Sequence, residues 1–348
     1  MASLELADFG WDQFFHSQLP DDLPPTTVPV RVMNVQKSGL HVAAPEIDAH
    51  IDASMVGQDF IATVGDWLLF DCESGRAVQQ LERKSLFRRR APGTDRRVQL
   101  IAANIDTLFV VSSCNQDFNV ARIERYLAIA REAGVMSVIV LTKSDLAEDP
   151  QSFVHAAAKL APDVVVEAVN ALNKEDLRCL QAWLGKGQTI ALLGSSGVGK
   201  STITNTLLGQ DQIETQDIRA GDDKGRHTTT SRSLFRLPGN AWLLDTPGMR
   251  ELQLTDVQSG IDDVFAEISA LAKDCKFTNC VHESEPGCAV RQAVNDGDID
   301  EARVNRWRKL MREDAYNRES IAERRARGRS LGKLYRTIQN EKKSTRKP

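Results

Sequence analysis

The 348-residue sequence predicts a multidomain α/β protein. Three observations predict it: strand and helix signals alternate from residue 98 to 258, only short strands precede that stretch, and only helical signals follow it. The chain is long enough for two or three separate cores. Its 41% hydrophobic and 26% charged residues are those of a folded protein rather than a disordered one.

Residues 1–27 are acidic and end in "LPDDLPPTT", which reads as a flexible N-terminal segment. The opening "MASLELADFGWDQFF" is acidic where a secretory leader would be basic, and no run approaches eighteen apolar residues, so a cytoplasmic protein without a membrane segment is expected. Residues 28–97 hold short alternating strands ("VPVRVMNVQKSGLHVAAP", "TVGDWLLFDC") without helices, which predicts a small β-barrel of oligonucleotide-binding (OB-like) or SH3-like type. This stretch closes on "ERKSLFRRRAPGTDRR", an exposed basic linker with seven Lys or Arg. Over 98–258 come the apolar strand "VQLIAANIDTLFVVSS", a helix "NVARIERYLAIAREAG" with Ile123, Leu127 and Ala130 on one face, and the strand "VMSVIVLTKSD". "QTIALLG", "STITNTLLG" and "NAWLLDTPG" continue the alternation, as in a doubly wound, mostly parallel sheet. Residues 259–348 read as short helices around a cysteine cluster and a basic helical tail. From Arg303 onward there are sixteen Lys or Arg against five Asp or Glu, on a chain whose net charge is −4, so a polyanionic partner is expected.

Gly194-Ser195-Ser196-Gly197-Val198-Gly199-Lys200-Ser201, followed by Thr202, fits GxxxxGK[ST] between a strand and a helix. Glycines let the loop curl so that its N–H groups face phosphate oxygens. Lys200 would neutralise phosphate charge and Ser201 would ligate Mg²⁺. Asp245-Thr246-Pro247-Gly248 ends a strand and fits DxxG, with Asp245 on the Mg²⁺ side and the Gly248 N–H free for a γ-phosphate. Between them "GRHTTTSR" offers Thr229, or its neighbour Thr228, to Mg²⁺ and the γ-phosphate. Thr142-Lys143-Ser144-Asp145 ends another strand; the Asp145 carboxylate can accept from both donors of guanine, a pair that adenine lacks. Thr142 stands where related sites carry Asn. Further on, Asn170-Ala171 would present a backbone N–H to the guanine oxygen. The base motif thus precedes the phosphate motif, the order left when a domain's termini are joined and the chain is cut elsewhere.

Taken together, "VGDWLLF", "IAANID", "IERYLAIA", "VLTKSDL", "GSSGVGKST", "GRHTTT", "LLDTPGMRE" and "CKFTNCVHESEPGCAV" closely resemble the ribosome small-subunit-dependent GTPase A family, whose GTPase domain is circularly permuted. The resemblance implies an OB-like barrel, a permuted P-loop GTPase domain and a C-terminal zinc domain. It also implies late maturation of the small ribosomal subunit, with its rRNA as partner and GTP hydrolysis to GDP stimulated by that subunit, by a protein that acts as a monomer. Independently, Cys275, Cys280, His282 and Cys288 within fourteen residues suit a closed, structural Zn²⁺ site. The residue after Gly248 is Met249, which cannot orient water, so the polar group is expected to be His227, as the resemblance also suggests. Trp307 among arginines would stack on RNA. Two other readings stay open on residues alone: a different P-loop enzyme, such as an ATPase or kinase, and an RNA-binding zinc protein with a vestigial nucleotide site.

Overall fold

The computed structural model describes residues 4–56, 60–90, 98–209, 232–245 and 256–318. The N-terminal segment, expected to be flexible, is packed from Leu4 onward. A 3-10 turn (Leu6–Phe9) and a one-turn helix α1 (Gln13–His16), capped by Asp12, bury Phe9 and Phe15. Apolar rings outweigh the acidic composition here. Trp11 meets Trp67 edge-on at 4.8 Å, and Phe9 stacks on Trp242 at 5.5 Å.

Strands β1 (Thr27–Gln36), β2 (Gly39–Ala44), β3 (Ile47–Asp52), β4 (Trp67–Asp71) and β5 (Arg76–Gln80) are antiparallel in the order β5-β4-β1-β2-β3. Their alternating residues Val30, Val32, Leu40, Val42, Ile51 and Leu68 form one core. No β3–β5 pairing closes the strands among the described residues. The expected linker is partly strand: β6 (Leu86–Arg90) pairs antiparallel with β7 (Val98–Ala103), because Phe87, 1% exposed, is apolar enough to hold this basic run against the body.

The remaining strands are β8 (Thr107–Ser113), β9 (Met136–Thr142), β10 (Val165–Ala168), β11 (Thr189–Leu193), β12 (Arg232–Arg236) and β13 (Trp242–Asp245). They run β10-β9-β8-β11-β13-β12, parallel except for β12. Alternate residues serve opposite faces. Leu108, Val110, Ile139 and Leu141 pack under helix α2 (Val120–Glu132), while Phe109, Val111, Val138 and Val140 pack under a 3-10 helix (Asp176–Trp183) and helix α4 (Lys200–Leu208). The predicted α2 face of Ile123, Leu127 and Ala130 is buried, and Asn119 caps its start. Helix α3 (Pro150–Ala158) lies against β10.

The sheet does not stop at β12. β1 continues it through Asn34–Ser233 and Val35–Arg232, giving one mixed sheet of eleven strands that joins the N-terminal strands to the parallel layer. The fully buried Arg31 side chain secures this junction, donating to Phe9 O at 2.6 Å, Asn104 O at 3.2 Å and Thr189 Oγ1 at 2.8 Å. Burial pulls its guanidinium down to about 10, so it stays charged at neutral pH.

Helices α5 (Gln258–Val264), α6 (Ala266–Lys273), α7 (Ala289–Asp296) and α8 (Glu301–Arg318) complete the described chain. The arginines of α8 are mostly paired within the chain: Arg303 and Arg306 hold the buried Glu124, and Arg308 and Arg312 hold Glu283. Trp307 is not offered for stacking; it is 4% exposed. Much of the basic tail, residues 319–348, lies outside the described residues.

Candidate active site

Parallel pairing brings the carboxyl ends of β9, β8, β11 and β13 to one edge of the sheet. In open α/β sheets ligands gather at that edge, whatever the order in which the chain visits it. The base motif follows β9, the phosphate loop follows β11, and Asp245 ends β13. The side chain of Asp245 and residues Thr228, His227, Thr229, Gly248 and Met249 lie outside what the structure describes.

Residues 194–199 form the turn from β11 into α4, and Lys200 opens that helix. Gly194 has no room for a side chain, since a Cβ would sit 2.3 Å from Val111 O. Gly197 and Gly199 have φ of +78° and +92°, which strain any L side chain. The buried Val198 anchors the loop, whereas Ser196 and Gly197 are exposed. Ser201 and Thr202 stand half-buried in the first turn of α4, where unpaired N–H groups and the helix dipole favour an anion. Lys200 Nζ donates to Gly194 O at 2.8 Å and to Ser195 O, so it is folded back over the loop it would share with phosphates.

Thr142 has a different post from the one expected at the base. It is fully buried, and its hydroxyl donates to Val198 O at 2.6 Å, with Ser112 O 3.1 Å away. It therefore ties the end of β9 to the phosphate loop. Lys143 follows with φ of +58°, a left-handed turn that swings Ser144–Leu146 into one 3-10 turn with Asp145 exposed. The second base loop lies beside the first: Val169 N–H donates to Leu141 O at 2.8 Å and Ser144 N–H to Val169 O at 3.4 Å. Asn170 folds into its own turn, accepting the Leu172 N–H at 3.0 Å. Thr206 of α4 donates to Ala171 O at 2.7 Å, so the phosphate-side helix also steadies the base side.

Two residues near the site escaped sequence reading. One is Thr206; the other is Arg122, whose Nη1 donates to Ser195 Oγ at 2.7 Å across 73 residues. Neither stands in a motif, and no local pattern announces so distant a contact.

The metal candidate is compact. Ligand atoms of Cys275, Cys280, His282 and Cys288 all lie within 4.8 Å of one another. His282 Nδ1 is 3.5 Å from both Cys275 Sγ and Cys288 Sγ, and those two sulfurs are 3.9 Å apart. A tetrahedral ion with ~2.3 Å bonds to sulfur and ~2.0 Å to nitrogen needs edges of roughly 3.8 and 3.5 Å, so the shell fits. His282 takes φ of +60° to turn its ring inward, and the ring packs 5.2 Å from Trp307. Burial first of all, with the neighbouring sulfurs adding, pushes the Cys280 thiol up to about 11, so a cation would be needed to draw out its thiolate.

The fold and the site edge define a circularly permuted P-loop GTPase. A model of the RsgA GTPase family matches residues 80–255. Similar proteins include "Small ribosomal subunit biogenesis GTPase RsgA 2" of Vibrio parahaemolyticus, 46% identical over 97% of this chain and 94% of that one. "Small ribosomal subunit biogenesis GTPase RsgA" of Mesorhizobium japonicum is 47% identical over 91% and 92%. The chain belongs to the RsgA GTPase family and is a GTP hydrolase. Among solved structures, YjeQ of Thermotoga maritima (TM-score 0.59, 23% identity, 82% of this chain and 98% of that one) shares the fold. So does YloQ, titled a circularly permuted GTPase (TM-score 0.59, 20% identity, 86% and 99%). An ABC transporter model also matches residues 177–334, a span that includes the phosphate loop but less than half the chain. No helix among the described residues is long and apolar enough to cross a membrane.

Proposed function

We propose that this GTPase acts on the small ribosomal subunit during its late maturation, hydrolysing GTP to GDP and phosphate faster when bound there and then leaving. The observation that carries the reading is the close similarity, over nearly the whole of both chains, to relatives named for small-subunit biogenesis. In this reading residues 28–97 are an OB-like barrel that meets rRNA, 98–258 the GTPase domain, and 259–348 a zinc-binding domain with a basic tail. The protein works as a cytoplasmic monomer.

Within the site, the carboxylate of Asp145 selects guanine, Lys143 lies along the base, and Ser144, Asn170 and Ala171 complete its pocket. Thr142 serves indirectly, by holding Val198. The N–H groups of 194–202 and Lys200 hold the phosphates, and Gly248 meets the γ-phosphate. Mg²⁺, when bound, neutralises charge building on the phosphate oxygens; Ser201, Asp245 and Thr229 would hold it. His227 orients the attacking water, which adds to the γ-phosphorus as the bond to the β-phosphate oxygen breaks. Zn²⁺ suits the Cys275, Cys280, His282 and Cys288 shell, where four protein ligands leave no position for chemistry.

GTP turnover measured alone, with purified small subunits and with large subunits as control should rise only with small subunits. Equal rates in all three would refute the subunit assignment. His227→Ala should abolish the stimulated rate while GTP affinity holds, and normal turnover would remove His227 from the reaction.

A further inference from the structure

Helix α2 touches the phosphate loop at one end and the Cys/His domain along its side. At its start, Arg122 donates to Ser195 Oγ at 2.7 Å. Two residues on, the carboxylate of Glu124, fully buried, accepts Arg303 Nη1 at 3.1 Å and Arg306 Nε at 2.7 Å, both from α8. Arg125 pairs with Glu313, also of α8. At the far end Glu132 accepts the Gly260 N–H of α5 at 3.1 Å, and Gly260 lies so close that a Cβ would meet Ala128 O at 2.0 Å. Arg303 reaches further, to Val264 O at 2.9 Å and over the Phe265 ring at 4.8 Å. One stiff rod thus carries a charged anchor to the nucleotide site and a buried, charge-paired seat for the helices around the Cys/His cluster.

We infer that Arg122 is a positioning residue for the phosphate loop, and that through α2 the binding of GTP and the seating of α8 depend on each other. Lys200, bonded to the carbonyls of Gly194 and Ser195, ties its ammonium to the loop that meets phosphate charge. Arg122 keeps Ser195 in place by a charge-assisted bond. Any shift of α8 moves Glu124, and with it the first turn of α2 from which Arg122 reaches. Such coupling is reciprocal: whatever factor α8 exerts on GTP affinity, GTP exerts on the docking of α8. The inference rests on the GTPase reading and adds to it a path that none of the nucleotide motifs contains.

The test uses the full zinc-loaded chain carrying Arg122→Ala, Arg122→Lys, Glu124→Gln and the Arg122→Ala/Glu124→Gln pair. Arg122→Ala should raise KM for GTP roughly tenfold with kcat within about twofold. Arg122→Lys, which keeps the charge and one donor, should restore most of that loss. Glu124→Gln should raise KM as well, and the double variant should be no worse than Arg122→Ala alone. In hydrogen exchange, a non-hydrolysable GTP analogue should alter protection of residues 301–314 in the wild type but not in Arg122→Ala. Additive KM effects, no rescue by lysine, or an unchanged α8 response in Arg122→Ala would overturn the inference. Wild-type protein that binds no GTP would sink the GTPase reading instead, and wild-type behaviour of every variant would sink this one alone.

Discussion

At the scale of single residues, the site separates side chains that meet the ligand from side chains that hold those side chains. Thr142 belongs to the second kind. Thr142→Val keeps the shape but strands the Val198 carbonyl, at a cost of about 1–3 kcal/mol. Urea unfolding should show that loss, and KM for GTP should rise because the phosphate loop is freed; unchanged KM would break the link between the two motifs. Asp145, exposed in the turn after β9, is proposed for the first kind. Asp145→Asn swaps an acceptor for a donor where guanine presents an amino group, so GTP turnover should collapse while xanthosine triphosphate, with an oxygen there, should be accepted. Retained preference for GTP would disprove the role of the carboxylate. Both residues stand out in "LTKSD", and the structure places them at the carboxyl end of β9 beside the phosphate loop. The inward turn of Thr142 was not legible there, because a motif gives residue types in order and not which neighbour each hydroxyl finds. Arg122 was invisible for the same reason, its partner being 73 residues away.

At the scale of elements, hydrophobic periodicity sufficed for the parallel strands, α2 and the turn into α4, whose signals are local. It failed for the N-terminal segment and for β6, where acidic or basic composition hid a few decisive rings: Phe9, Phe15 and Phe87. It also misread Trp307, since a tryptophan among arginines looks exposed until the helix has a neighbour to lean on. The contact of α2 with α5 gives a test in which two effects have opposite sign. Gly260→Ala would favour an isolated helix by about 1 kcal/mol. Here the new methyl meets Ala128 O, so overpacking of about 1–3 kcal/mol should dominate and lower the melting temperature. A stabilised variant would show that the helices are not in that contact. Zinc removal is read at the same scale. With little apolar core between Cys275 and Cys288, chelation should unravel that loop and wet Trp307, seen as a red shift of tryptophan emission with a fall in melting temperature. Unchanged emission and melting on chelation would show that the shell carries no structural ion.

At the scale of the whole molecule, residues 4–16 act as a strap across the β12–β13 hairpin. Asn240 Nδ2 donates to Asp8 Oδ1 at 2.6 Å and Trp242 Nε1 to Asp8 O at 2.7 Å. The Glu5 N–H above all, and then Asn240 and Lys186, hold the Asp8 carboxyl below its ordinary 3.8, against the opposing effect of burial. A depressed carboxylate stabilises the fold at neutral pH and ceases to do so as pH falls through its folded value, below 3.8. Asp8→Ala should therefore cost about 1–2 kcal/mol at pH 7 and less at a pH below the folded value of Asp8, in urea titrations at each pH. An equal cost at both would contradict the role of the charge. The ladder between β1 and β12 has a further consequence for the birth of the chain. Asn34 and its partner Ser233 are 199 residues apart, so during synthesis at about 5–20 residues per second the β1 edge waits about 10–40 s for its partner strand. For that time the nascent chain presents only the Asn34–Val35 edge of β1 unpaired, in a strand already held by β2 and β4. Ribosome pausing between codons 36 and 232 would lengthen that exposure, and this is where chaperone contact or aggregation during translation should concentrate.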